Sequence, residues 1–171
     1  MKTIFVDKQN LEFLLYDVHE VTRLCQYPYF SDHSRETFDM TLETATQIAE
    51  RIMFPQLTSV DRQEPQLQNG EVTVHPVVKE FLQAMGESGL IGADFPYEDG
   101  GAQVPMTITS IAGLIAMAAN SGLMYTGLTA GAARLLTNFA SSELKERYVP
   151  PMLAGKWQGT MCLTEPQAGS S

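Results

Sequence analysis

Apolar positions spaced by three and four run through most of this chain, and the places where that spacing fails mark its joints. Leu11, Leu14, Leu15 and Val18 predict a short amphipathic helix over residues 10–18. After the turn-rich "YPYFSDHS", Phe38, Leu42, Ala45, Ala49 and Ile52 form one stripe. That stripe predicts a long helix from about Ser34, with Glu36 in its first turn and Pro55 as its end. Residues 58–74 are polar and hold Pro65, Asn69 and Gly70, which reads as a loop with a short helical turn. Pro76 opens another helix whose face is Val77, Val78, Phe81, Leu82 and Met85, with Gly86 and Gly89 as closing candidates.

The stretch 89–105, with four glycines and two prolines, is too broken for any long element. Two apolar helices follow, over 106–119 and 122–139, then a short charged helix that Ser141 caps and Pro150 and Pro151 stop. Only Thr160 to Thr164 reads as a strand. A lone strand cannot satisfy its own donors and acceptors, so the pattern predicts an all-α bundle of about six helices leading into the first strand of a sheet.

Composition narrows the function. A formal charge of −9 and a pI near 4.7 argue against a nucleic-acid binder, which needs cations to displace counterions. With 44% apolar and 18% charged residues the chain is not disordered. Cys25 and Cys162 lie far apart without metal or disulfide spacing, and His19, His33 and His75 share no ligand spacing. The start has no secretory pattern, so a cytoplasmic location is expected. No charge falls between Asp99 and Arg134, but Pro105, Asn120, Ser121 and Gly122 interrupt that run, so buried helices are expected rather than a membrane span. Glu36, Glu43 and Glu50 recur at sevens and read as a solvated helix face.

Three segments in order carry a resemblance: "GLIGADFPYEDGG" (89–101), "LKERYVPPMLAGKWQG" (144–159) and "CLTEPQAGSS" (162–171). Together they resemble the amino-terminal part of acyl-CoA dehydrogenases, flavoprotein oxidoreductases of fatty-acyl and related thioester metabolism. The first 60 residues are similar to an extension in the subgroup that includes long-chain acyl-CoA and 3-methylmercaptopropionyl-CoA dehydrogenases. The resemblance divides the chain into a helical extension (1–60), the helical domain (61–157) and the start of a truncated β-domain (158–171).

The resemblance implies FAD as cofactor, with Met161, Leu163 and Thr164 at the isoalloxazine and Gly169 and Ser170 nearby. Extended backbone supplies N–H groups in a row, which suits a ring that gains electron density on reduction. Ser170 also stands where the family meets its acyl-CoA substrate, and Tyr125, Thr126, Gly127 and Thr129 are pocket candidates, Thr126 and Gly127 foremost. The bland reading of those helices is plain core. Glu165 is not the base: Pro166 holds its backbone extended, and the family's base lies far downstream of Ser171, so no catalytic residue is expected in this chain. Ser171 departs from the Asp usual in the signature. The whole enzyme is expected to be a homotetramer or dimer that passes electrons to an electron-transfer flavoprotein. Two alternatives stay open: an acyl-CoA oxidase that returns electrons to oxygen, and a flavin-free helical interaction module.

Overall fold

The structure, a computed structural model, describes residues 4–169. It is mostly helical: α1 (Lys8–Glu12), α2 (Arg35–Ile48), α3 (Leu57–Arg62), α4 (Val77–Glu87), α5 (Met106–Asn120), α6 (Leu128–Phe139) and α7 (Ser142–Leu153), with one small hairpin, β1 (Gln66–Gln68) and β2 (Glu71–Thr73).

The core is built on α2 against α5, the most extensive helix pairing, with α6 against α7 next. Phe38, Leu42 and Ala45 of α2 and Ile108, Ala112 and Ile115 of α5 are buried in one cluster that α4 joins through Val78, Phe81 and Leu82. Burying each large apolar side chain of this kind contributes about 2 kcal/mol. Helix α2 starts as its sequence demands. Ser34 and Thr37 form a reciprocal capping box, and a hydrogen bond from Ser34 holds the Glu36 carboxyl below its ordinary range.

The amino-terminal segment lies on α2. Of its apolar stripe only Leu15 is buried, while Leu14 and Val18 are exposed, because α1 widens into a π-helical turn over Phe13–Val18. Tyr16 fastens it: its hydroxyl donates to Asp39 at 2.6 Å while the Arg35 guanidinium lies 4.2 Å over its ring. Burial, reinforced by the Asp39 hydrogen bond, pushes the phenol well above its ordinary range.

Four local expectations need correction. Pro55 does not end the helical path: α2 continues as a π turn (Ala49–Met53) and a 3₁₀ turn (Phe54–Gln56) into α3, with Pro55 in the first positions of the 3₁₀ turn. There the missing N–H is not needed. Residues 66–73, expected as loop, form a hairpin in which Leu67 pairs with Val72. Its turn is Asn69–Gly70, with φ of 54° and 82°, the left-handed pair a two-residue turn requires. Pro150 and Pro151 lie inside α7, which runs on to Leu153, and the Ser141 side chain makes no capping bond. Proline's fixed φ is helical, so the helix survives. The segment 160–164, expected as a strand, runs without a β partner among the described residues. Extension here lacks the neighbour that would make it a ladder.

The α5 and α6 helices are joined by a 3₁₀ turn, Ser121–Gly127, so helical structure of one kind or another runs from Met106 to Phe139, long and apolar enough by length and composition to cross a membrane. Asn120 breaks its axis. Its backbone is extended, its side-chain amide donates to the Met53 carbonyl at 3.0 Å, and its side-chain oxygen accepts from Gly122 N–H at 3.1 Å.

Candidate functional site

Helix α6 organises the region where the expected site residues fall. At 100° per residue, Gly127, Ala130 and Arg134 share one side of it, and Thr129 and Ala132 look to roughly the opposite side.

The first side opens on an apolar cavity of about 210 Å³ between α2, α4, α5 and α6. Ile48, Phe81, Met85 and Met124 are among its walls, and Thr126 and Gly127 line it together. The space exists because small residues face one another: Ala112, Gly113 and Ala116 on α5, Gly127 and Ala130 opposite. A Cβ added at Gly113 or Gly127 would meet nothing within 4 Å. The Thr126 hydroxyl is already spent, donating to the Leu123 carbonyl at 2.8 Å, and the residue is 5% exposed.

Two charged residues line this cavity, Asp94 and Arg134. They form an ion pair of 2.7 Å, and the guanidinium lies 4.4 Å over the Phe95 ring. The pair joins the glycine-rich connector to α6. Sequence reasoning passed over both residues. The available signal was that Arg134 is the first charge after a long uncharged run, at helical spacing from Gly127.

The other side of α6 holds the carboxy-terminal segment. Thr129, 1% exposed, accepts a hydrogen bond from Gly159 N–H at 3.3 Å. A Cβ on Gly159 would come within 2.3 Å of the Ala132 methyl, so only glycine permits this approach. From there Thr160–Thr164 leaves the helical body with Met161 60% and Leu163 66% exposed. Glu165 and Ala168 then exchange backbone hydrogen bonds of 2.8 and 3.3 Å in a tight turn before Gly169. Glu165 and Thr164 are exposed, and Ser170 lies outside the described residues.

The residues expected at the flavin and those expected at the acyl group are therefore not gathered into one site here. Met161, Leu163, Thr164 and Gly169 follow the point where Gly159 meets one side of α6, while Thr126 and Gly127 line the cavity on the other. Tyr125, half-exposed, borders a separate depression beside Val60, His75 and Asn120. Among the described residues no cluster of His, Cys, Asp or Glu could hold a metal ion.

Residues 35–156 match the family described as "Acyl-CoA dehydrogenase, N-terminal domain", and the chain belongs to the acyl-CoA dehydrogenase family. It is similar to a butyryl-CoA dehydrogenase of Syntrophomonas wolfei, 30% identical over 95% of this chain and 27% of the relative. It is also similar to a 3-methylmercaptopropionyl-CoA dehydrogenase of Ruegeria pomeroyi, 29% identical over 88% of this chain and 27% of the relative. The short-chain specific acyl-CoA dehydrogenase of human mitochondria is 28% identical over 83% of this chain and 32% of the relative. The chain thus spans less than a third of the length of these three relatives.

Proposed function

We propose that this chain is the amino-terminal helical part of an FAD-dependent enzyme that dehydrogenates an acyl-CoA thioester between Cα and Cβ. The observation that carries the reading is the family match over 35–156, followed directly by a segment that Gly159 pins to α6.

The donor chemistry of that segment fits a flavin. Residues 161–164 lie outside any helix, strand or turn, their backbone N–H groups have no partner among the described residues, and Thr164 adds a hydroxyl. When bound, FAD supplies the hydride acceptor. The chain's own contribution would be to hold the ring with Met161, Leu163 and Thr164, Gly169 and Ser170 being the further residues of the cofactor site. Fixed donors cost no reorganisation as charge develops.

Among the described acids none is placed as the base. Asp94 is ion-paired with Arg134, and Glu165 lies exposed beside the closing turn. The reading therefore takes the base from chain beyond Ser171. It also takes the enzyme to be a tetramer or dimer, cytoplasmic, with 106–139 as interior helices and an electron-transfer flavoprotein as acceptor. The packing of α5 on α2 supports the interior assignment.

The test is a spectrum of the whole gene product. Oxidised-flavin bands that bleach when acyl-CoA is added without oxygen are expected, with slow return of colour in air. Rapid return in air would point to the oxidase relative. A colourless protein indifferent to acyl-CoA sinks the proposal and leaves a helical interaction module.

A further inference from the structure

Between the end of α7 and the cofactor segment the backbone is seated on the helical body at two glycines. Gly155 has a left-handed φ of 67°, and a Cβ there would run into the Leu82 carbonyl of α4. A Cβ on Gly159 would run into the Ala132 methyl of α6. Between these seats the N–H groups of Lys156 and Trp157 both donate to the Pro151 carbonyl, at 2.9 and 3.1 Å. The Trp157 ring lies 5.8 Å from that of Tyr148. The path is therefore held residue by residue as far as Gly159.

Beyond Gly159 the restraint stops. Thr160 to Thr164 donate no backbone hydrogen bond to the described residues. Gly159 is thus the last point at which the helical body sets the position of Met161, Leu163 and Thr164. Its own seat is firm, because Thr129, which accepts its N–H at 3.3 Å, is 1% exposed. A methyl added at Gly159 must push the backbone away from α6 by on the order of 1 Å, since non-bonded carbons rest at about 3.5–4 Å. A misplacement of about 1 Å between reacting groups costs up to about a hundred-fold in rate.

We propose that Gly159, seated on Thr129 and Ala132, is a positioning residue that sets how far the flavin-holding segment 161–164 stands from α6. It thereby governs both the grip on FAD and the placement of the ring against the acyl group. The inference rests on the flavin reading above and adds to that site a residue that does not itself touch the ring.

The experiment uses the whole gene product carrying Gly159→Ala, Gly159→Ala together with Ala132→Gly, or Thr129→Val. All are studied where far-ultraviolet circular dichroism shows them folded. The affinity of the apoprotein for FAD is read from the change in flavin fluorescence. Bleaching without oxygen at saturating butanoyl-CoA or octanoyl-CoA is timed separately. Gly159→Ala should weaken FAD binding about ten-fold and slow bleaching about ten- to a hundred-fold. Ala132→Gly in the same chain removes the opposing methyl and should bring both back to within about three-fold of the unaltered protein. Thr129→Val, which adds no volume, should weaken FAD binding about three- to ten-fold.

Unchanged FAD affinity in Gly159→Ala overturns the proposal, as does a loss that Ala132→Gly leaves in place. Either result makes the contact a packing detail that moves only the unfolding midpoint. If Gly159→Ala does not fold, Thr129→Val decides, and an unchanged FAD affinity there overturns the proposal too. An unaltered protein that binds no FAD overturns this inference together with the flavin reading. FAD bound equally well by every variant overturns this inference alone.

Discussion

The backbone N–H of Gly159 donates to the hydroxyl of Thr129, joining the end of the helical body to the first turn of α6 across 3.3 Å. Thr129→Val keeps the shape and removes the acceptor, leaving a half-buried donor unpaired. A loss of about 1–2 kcal/mol is expected. Faster hydrogen exchange at Gly159 should accompany it, with exchange in α2 unchanged apart from the global loss. Gly159→Ala should displace the segment further, because its methyl would collide with Ala132.

Asn120 satisfies two elements at once, the Met53 carbonyl and the Gly122 N–H, while 1% exposed. Asn120→Ala strands both partners and removes the cap of the following turn. Denaturant titration should show a loss of about 2–3 kcal/mol. Asn120→Asp should be worse than a conservative change normally is, since a carboxylate would face the carbonyl.

Gly113 sits in the middle of α5 beside open space. Glycine there costs helix stability without a steric reason. Gly113→Ala should therefore stabilise the chain by about 0.5–1 kcal/mol in thermal or chemical unfolding.

Tyr16 predicts an alkaline weakness. Its phenol holds a proton more tightly in the folded chain than in the unfolded one. Its contribution is complete below the ordinary tyrosine range, near pH 10, and falls as the pH climbs beyond that. Unfolding midpoints measured from about pH 8 upward should decline above pH 10, and Tyr16→Phe should show a shallower decline.

The helices were legible because burial imposes the three-and-four spacing: Phe38, Leu42 and Ala45 lie in the core where that stripe puts them. The hairpin was not, because every residue of both strands is exposed and no buried face writes an alternation into the sequence. Proline misled at 55 and at 150–151, since its fixed φ suits a helix whose lost hydrogen bond is tolerated nearby. At Thr160–Thr164 the residue types favoured a strand, but pairing depends on neighbours that the segment itself does not encode. As for the candidate site, the sequence pointed to Thr126 and Gly127, which share a cavity wall. The Asp94–Arg134 pair was hidden because its partners lie on different elements and meet only in the fold.

Leu128, Leu135 and Phe139 recur along one outer edge of α6, and Phe139 is 82% exposed. Such an edge is adhesive, and what opposes it in dilute buffer is the repulsion between copies that each carry a formal −9. Added salt shortens the reach of that repulsion while leaving the oily ridge untouched. The chain's colloidal behaviour should accordingly turn on ionic strength, with clear solutions at low salt giving way to reversible clustering as salt rises.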